Sequence, residues 1–230
     1  MPPRNAVRWP RDHGSSYRWA LAVSPGPTFD RVYLALKEQL TSGRFAPGDH
    51  LEPSALGDEL SASITPVRDA LHRLVGERIV EAPRNDGFRV PAPTEAELRH
   101  LYGWNGDLVE LALRARAAPA LRLTGGKPAD PFPVADLQAV TAELFRRIGR
   151  RSGNPEIEAA IDNLSDRLGA LRLVEAALFA DAADELAAIQ AAWVAEDMLM
   201  LRRCSAAYHR RRQRQAPEIL ATAHSLGRDR

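Results

Sequence analysis

The clearest alternation of apolar and polar positions in the chain runs from Ser63 to Gly76. Apolar residues recur there at the spacing of one face of an α-helix; they are Val67, Ala70, Leu71, Leu74 and Val75. The opposite face is polar and carries Thr65, Arg68, Asp69 and His72. Ser63 suits the N-cap, because its hydroxyl can accept a free backbone N–H, and Pro66 fits the first turn. The pattern predicts an amphipathic helix with an exposed, arginine-bearing face.

Two short β-prone segments follow this predicted helix. Ile79-Val80 is the first and Phe88-Arg89-Val90 the second, and Arg84 to Gly87 between them are typical of a hairpin turn. A helix followed by a basic-tipped hairpin is the layout of a winged helix-turn-helix, in which the helix enters the major groove of DNA. The same residues are equally compatible with an ordinary helix–hairpin packing unit, because a periodic pattern does not by itself define a function.

Two further helices are predicted before this unit. Thr28 can cap a helix that runs to about Ser42, and Gly43 occupies the position that glycine takes after a helix. A turn at residues 45–49 leads to a short helix that opens at Glu52-Pro53-Ser54 and ends at Leu60. Residues 28–92 thus have the size and the elements of one small domain, and Pro91-Ala92-Pro93 is a linker after it.

The pattern beyond the linker is helical. Thr94 and Glu97 form a capping-box signature for the first helix of this part. Helices are predicted at about 95–117, 134–151, 155–179, 182–194 and 196–214, with a loop at 124–133 and a tail at 216–230. The predicted fold class is mainly α, with a winged helix-turn-helix of three helices and a β-hairpin, followed by an all-α bundle at 93–215.

The amino-acid composition excludes some classes of protein but does not point to a function. The chain has 230 residues, a formal net charge of +1 and one cysteine, Cys204, which excludes an internal disulfide. No apolar run of about 18 residues and no secretory leader is apparent, so we expect a cytoplasmic, nucleoid-associated protein without a membrane partner.

Residues 1–27 predict a basic, mostly disordered arm. Residues 28–92 are slightly acidic, which counts against strongly electrostatic DNA binding. Nucleotide-binding, protease and hydrolase motifs are missing, so we predict that the protein is not an enzyme.

A resemblance to a known family favours the winged helix-turn-helix over an ordinary helix–hairpin packing unit. The run from Val32 to Val90 resembles the DNA-binding domain of the GntR family of bacterial transcription regulators. The residues that carry the resemblance are Ser42-Gly43-Arg44-Phe45, Pro47-Gly48-Asp49, Leu51, Leu56, Leu60, Ser63, Thr65-Pro66-Val67-Arg68-Asp69-Ala70-Leu71, Arg73-Leu74, Gly87-Phe88 and Val90. The resemblance implies a winged helix-turn-helix that binds double-stranded DNA.

The resemblance also implies which residues contact DNA. Ser63, Thr65 and Arg68 would do so from the recognition helix, His72 could assist from its outer face, and Arg84 would reach the minor groove or phosphate from the wing. Arginine can fork onto guanine O6 and N7, and serine or threonine near a helix N-terminus suits a phosphate. The chain departs from the family where Ile64 replaces a usual arginine and where Pro53-Ser54 replaces an often charged helix start.

The helical half resembles the FCD effector domain of the FadR subfamily. Many FCD domains bind a metal through one aspartate and three histidines. The corresponding positions here are Ala142, Arg146, Leu186 and His209. Only His209 is kept, and one imidazole cannot make a metal site, so we predict no metal and no other cofactor.

Two alternatives remain for this half. In one, Arg146 replaces the metal and binds a small carboxylate effector together with Asn105 and His209, since a guanidinium is a permanent planar cation. In the other, side chains fill the pocket and the half only dimerises. Taken together, the resemblance and the residues predict a homodimeric regulator, by default a repressor on a palindromic operator. The competing hypothesis is a helical dimerisation or ligand-binding protein with vestigial DNA contacts.

Overall fold

The computed structural model describes residues 27–115 and 136–228. The predicted arm at 1–27, except its last residue, and the predicted loop at 124–133 lie outside these ranges. The first domain contains α1 (Pro27–Thr41), β1 (His50–Leu51), α2 (Pro53–Glu59), α3 (Ile64–Gly76) and β2 (Phe88–Arg89). The helical domain contains α4 (Glu95–Arg114), α5 (Leu137–Arg151), α6 (Pro155–Leu178), α7 (Ala182–Val194), α8 (Met198–Arg214) and α9 (Ala216–Arg228). A mainly α fold with an N-terminal winged helix-turn-helix is confirmed.

The first domain forms because α1, α2 and α3 bury the apolar faces that the sequence pattern predicts. Val32, Leu36, Val67 and Leu71 are at most 1% exposed and share one core with the side chains of the sheet. Gly57 of α2 lies close to the turn before α3, where a Cβ on it would come within 2.9 Å of the Ala62 carbonyl oxygen. A small residue at this position lets the helix-turn-helix close.

The wing differs in detail from the predicted hairpin. The strand β2 pairs antiparallel with β1, His50 opposite Arg89 and Leu51 opposite Phe88. On its other side Arg89 bridges Glu81, whereas Ile79 and Val80 are buried core residues outside any strand. The bridge forms at Glu81, the residue after Val80, because the apolar side chains of Ile79 and Val80 turn into the core. The tip adopts left-handed backbone at Asn85 and Gly87, as a tight turn requires.

The helical domain closes with an element that the sequence pattern missed. Residues 216–228, predicted to be part of a tail, form α9, which packs against α4, α6 and α8. Its Ala216, Ile219, Leu220 and Ala223 are buried. They recur with helical spacing, and their burial against the bundle explains why this segment folds. The capping box of Thr94 and Glu97 at the start of α4 is present as predicted.

The two domains are in direct contact. Gly169 of α6 lies so close to α1 that a Cβ on it would come within 2.8 Å of the Thr41 carbonyl oxygen. Asn163 Nδ2 donates to the backbone oxygen of Glu77, the C-cap of α3, over 2.8 Å. Helix α6 therefore contacts both the end of α1 and the end of the recognition helix.

Candidate functional site

The residues predicted to contact DNA are all exposed. Ser63, Thr65, Arg68 and His72 are exposed on α3 and its N-cap, and Arg84 is exposed at the wing tip. The apolar face of α3 holds them there, because Val67, Ala70, Leu71 and Leu74 are fully buried. His72 packs edge-on against Phe88 of β2, with 4.9 Å between ring centroids. This contact fixes the wing against the recognition helix.

Ser63 occupies the N-cap of α3, but its side chain makes no capping hydrogen bond. The predicted capping role of its hydroxyl is therefore wrong. The hydroxyl is left beside the free N–H groups of the first turn, where helix termini favour phosphate oxygens. Ile64, which replaces the usual arginine, is 44% exposed on the same turn.

Arginines of the first domain divide into two groups. Most are held by protein partners: Arg31 by the Leu60 and Ser61 carbonyls, Arg44 by Glu59, Arg73 by Glu77, and Arg89 by Glu81 and Asp86. Within the described ranges, Arg68, Arg78 and Arg84 have neither a hydrogen bond nor an ion pair, and Arg78 lines the cleft between the two domains together with Arg167. The guanidinium groups of Arg68 on α3 and Arg84 on the wing are therefore available at the exposed surface.

A polar cluster ties this domain to the helical one. Lys37 Nζ lies 2.9 Å from Glu77 and 2.8 Å from Asp166 of α6, and Asp166 also accepts from Arg146 over 2.7 Å. Burial by itself lowers the pKa of Lys37, but the hydrogen bonds to Asp166 and Glu77 outweigh it and raise that pKa. Lys37 is therefore charged at neutral pH, and the cluster joins α1, α5 and α6 to the C-terminal end of α3.

The helical interior brings two of the three predicted effector residues together. Asn105 of α4 and His209 of α8 are both buried, and their side chains meet at 2.7 Å. Gly106 allows this approach, since a Cβ there would lie 3.1 Å from the His209 ring. Arg146 is not part of this pair, because its guanidinium is bound to Asp166 and lies 3.6 Å from Asp162 on α6.

His209 is neutral in this setting. Burial, followed by the nearby Arg172 and Arg212, lowers its pKa to about 3, although the bond to Ser205 opposes the shift. Its Nδ1 donates to the Ser205 carbonyl over 2.7 Å. Nε2 of a neutral ring then accepts, so the Asn105 amide presents its NH₂ group to it, an orientation reached by a half-turn of the amide.

A metal does not fit these residues. Both ring nitrogens of His209 are engaged, and Ala142 and Leu186 offer no ligand atom. The described ranges contain no group of three or more histidine, cysteine, aspartate or glutamate side chains that could hold an ion.

A second buried network, which the sequence pattern did not predict, lies beside this pair. Glu175 accepts from the Tyr102 hydroxyl over 2.6 Å, from Arg212 Nε over 2.9 Å and from the Tyr208 hydroxyl over 3.2 Å. Burial and the negative charge of Glu175 raise the pKa values of both tyrosines. One signal was available: Arg172 and Glu175 continue the helical spacing of the buried Leu168 and Leu171.

These features define a class of protein: a winged helix-turn-helix domain with an exposed recognition helix, joined to a helical domain with a polar interior. Residues 28–90 match the model of the family described as bacterial regulatory proteins, gntR family. The chain therefore carries the DNA-binding domain of the GntR family in front of a C-terminal helical domain.

Individual relatives agree with this assignment. The HTH-type transcriptional regulator McbR of Escherichia coli K12 is 37% identical over 127 residues, 55% of this chain and 52% of McbR. The HTH-type transcriptional repressor GlaR of the same organism is 34% identical over 85 residues, 35% of this chain and 39% of GlaR. The chain thus spans about half or less of the length of these curated relatives.

Solved structures extend the likeness over most of the chain. The structure of E. coli McbR/YncC is 25% identical, covers 88% of this chain and 99% of its own, and has a TM-score of 0.58. A GntR protein from Rhodococcus sp. RHA1, 17% identical, covers 83% of this chain and 97% of its own with a TM-score of 0.66. The second likeness shows the fold alone. No helix of the described ranges is long and apolar enough to cross a bilayer.

Proposed function

We propose that the protein is a transcription regulator of the FadR subfamily, a repressor that binds a palindromic operator as a homodimer. The observation that supports this most directly is that the exposed guanidinium groups of Arg68, on the same helix start as Ser63 and Thr65, and of Arg84, at the wing tip, have no partner among the described residues. A free guanidinium on a recognition helix can form a bidentate contact with guanine, and one at a wing tip can reach phosphate. His72 also lies on the exposed face of α3, and its ring packs against Phe88 of the wing.

The test is a gel shift on the DNA upstream of the protein's own gene. Arg68→Ala should weaken specific binding by one to two orders of magnitude, because a bidentate base contact is worth about 1–3 kcal/mol. Arg150→Ala is the matched control: within the described ranges Arg150 pairs with Glu143 and lies 4.0 Å from Glu158, both in the helical domain. Binding that appears only at low salt and does not depend on Arg68 would contradict the proposal. It would support the alternative, a helical dimerisation or ligand-binding protein with vestigial DNA contacts.

We propose that the helical domain carries the dimer interface. Leu111 of α4 and Leu199 and Met200 of α8 are 50%, 68% and 44% exposed. These helix ends are neighbours, since Glu110 and Arg202 pair there. Exposed apolar groups that cluster in this way are typical of interfaces. Leu199→Glu should shift the protein from dimer to monomer in sedimentation velocity and abolish binding to a full palindrome. A wild type that sediments as a monomer at micromolar concentration would contradict this.

Release from DNA by a small acidic effector is also proposed, in the interior of the helical domain. Asn105 and His209 support this site because they are polar, buried and adjacent. Arg146 is the weaker part of the proposal, because its charge is already matched by Asp166. Arg146→Ala should therefore change the coupling of the two domains rather than the binding of the effector. If Arg146→Ala abolished effector-dependent release from DNA and left the coupling of the two domains unchanged, Arg146 would belong to the effector site.

A further inference from the structure

A cleft lies between the two domains. Its volume is about 770 Å³, within the range of roughly 300–1,000 Å³ that is typical of small-molecule sites. The connection from α3 to the wing lines it on one side, and α4 and α6 line it on the other. Small molecules often bind at such a junction of two domains. The cleft is separate from the buried pair of Asn105 and His209, since neither of these residues lines it.

Two arginines line this cleft from different domains, Arg78 from the first domain and Arg167 from the helical domain. Within the described ranges, neither guanidinium has a hydrogen bond or an ion pair. Arg167 is partly buried on α6, and burial, followed by the nearby charge of Arg78, lowers its pKa. The two like charges are therefore close enough to repel each other, and no described carboxylate pairs with either of them.

Three carboxylates also line the cleft, but other groups already bind them. Asp166 is bound by Lys37 and Arg146, Glu81 by Arg89, and Glu97 by Thr94 in the capping box. A cation that entered the cleft would have to compete with these partners. An anion would find the donors of Arg78 and Arg167 free, so the cleft favours an anionic ligand.

The backbone at Arg78 supports a role for its side chain. Arg78 follows Glu77, the C-cap of α3, and its φ of 59° lies in the left-handed region. Glycine or asparagine adopts this conformation after a helix more readily than a residue with a long side chain. Packing does not explain the arginine, because its side chain is exposed and makes no hydrogen bond within the described ranges. An anion held in the cleft would explain it.

Much of the remaining lining of the cleft is apolar. Trp104 of α4 lines it and is 54% exposed, and Leu101 lies almost one turn earlier on the same helix. Leu171 of α6 and Pro93 of the linker line it as well. An exposed indole offers a face on which a flat ring can stack. The cleft therefore suits a ligand that has both a flat apolar part and an anionic group.

We propose that the cleft between the domains binds an aromatic anion, a flat ring that carries a carboxylate or a phosphate. The anionic group pairs with Arg78 and Arg167, and the ring packs against Trp104. Such a ligand ties the residue that follows the recognition helix to α6 of the helical domain. The consequence for DNA binding rests on the proposed function, whereas ligand binding itself does not.

Isothermal titration calorimetry on the full chain measures the binding. Benzoate and phenyl phosphate are the probes, benzyl alcohol is the neutral ring, and inorganic phosphate is the anion without a ring. At least one aromatic anion should bind saturably with a Kd of about 1 mM or tighter, and at least about tenfold more tightly than benzyl alcohol and inorganic phosphate. The tighter probe identifies the anionic group as carboxylate or phosphate. No saturable binding of either probe, or equally tight binding of inorganic phosphate, would overturn the proposal.

Variants of both arginines decide whether binding occurs in the cleft. Arg78→Asn suits the left-handed backbone and removes the charge, so it should fold as stably as the wild type and bind at least about tenfold more weakly. Arg167→Gln also removes the repulsion from Arg78 and should weaken binding by a similar factor. Arg210→Gln, at an exposed arginine of α8 that does not line the cleft, should bind as the wild type does. Thermal unfolding without ligand verifies that each variant is folded. Wild-type affinity in either cleft variant would overturn the proposal.

A gel shift separates this inference from the proposed function. If the tighter probe changes operator binding of the wild type but not of Arg167→Gln, a regulatory role of the cleft is supported. A probe that saturates the cleft and leaves operator binding unchanged refutes that role and keeps the binding site. A protein that binds the probe through Arg78 and Arg167 but binds no specific DNA refutes the proposed regulator and leaves the site intact.

Discussion

Nζ of Lys37 lies 2.8 Å from Oδ2 of Asp166, and this ion pair joins helix α1 of the DNA-binding domain to helix α6 of the helical domain. The carboxylate also accepts from Arg146 of α5, while Lys37 reaches Glu77 at the end of α3. The ion pairs that join the two domains therefore also include Glu77, the C-cap of the recognition helix.

Asp166→Asn should weaken the contact between the domains. The substitution leaves Lys37 and Arg146 without their shared anion, so we expect about 1–3 kcal/mol loss in the free energy of unfolding. Urea unfolding measures this loss, and faster proteolysis of the linker at residues 91–93 would report separated domains. Asp162→Asn is the matched control one turn earlier, since Asp162 lies 3.6 Å from Arg146 and is 43% exposed. Its effect should stay below about 1 kcal/mol.

Two glycines of the helix-turn-helix should respond oppositely to alanine. At Gly57 a Cβ would approach the backbone oxygen of Ala62 to 2.9 Å, and backbone yields less easily than a side chain. Gly57→Ala should cost about 1–3 kcal/mol by overpacking and reduce DNA binding. At Gly76 nothing lies within 4 Å of the added Cβ, so Gly76→Ala should be neutral or stabilising by up to about 1 kcal/mol. Thermal unfolding of both variants is the measurement, and equal losses would show that the turn is not tightly packed.

Stability should fall as the pH is lowered below neutrality, in part because of His209. Burial lowers its pKa to about 3 in the folded state, while the unfolded side chain titrates near 6.5. Between these values the unfolded state binds the extra proton, so the free energy of unfolding decreases as the pH falls through this window. From pH 7 to pH 5 this group should cost about 2 kcal/mol. Urea unfolding at both pH values measures it, and His209→Gln should show a smaller pH dependence. An identical slope in that variant would mean that His209 is accessible to protons when folded.

Arg84 and Arg68 should have different effects on DNA binding. Loss of a phosphate contact weakens binding to all sequences and lowers the slope of log K against log salt by about 1, which we expect for Arg84→Gln. Loss of a base contact relaxes specificity at one base pair, which we expect for Arg68→Gln. Fluorescence anisotropy at several salt concentrations, on the operator and on single-base variants, distinguishes the two. An unchanged salt slope for Arg84→Gln would remove the wing from the interface.

The sequence predicted the helices whose apolar residues recur with helical spacing. Residues 182–194 were predicted as a helix and form α7 with the same bounds, and the apolar stripe of α3 is the buried one. The prediction failed where burial depends on distant partners. Strand β1 is only two residues long and exists because β2 pairs with it, and α9 is helical because a bundle receives its apolar face.

The candidate site was predictable to different degrees in the two domains. Residues of α3 lie on one short helix, so local periodicity alone places Thr65, Arg68 and His72 on one face. The interior of the helical domain is built from residues far apart in sequence, such as Tyr102, Glu175 and Arg212. Local pattern assigns charged residues to solvent, and only the packing of separate helices shows that Arg172 and Glu175 are buried.

The contact between Asn163 and Glu77, the C-cap of the recognition helix, has a mechanical consequence. With 13 residues, α3 is about 20 Å long, and the helical domain touches it at the end opposite Ser63. A tilt of about 10° imposed at that end would swing the opposite end through roughly 3 Å, about the length of a hydrogen bond. If α3 reads DNA as proposed, a very small rearrangement among α5 and α6 is therefore enough to move Ser63 and Thr65 out of register with the bases.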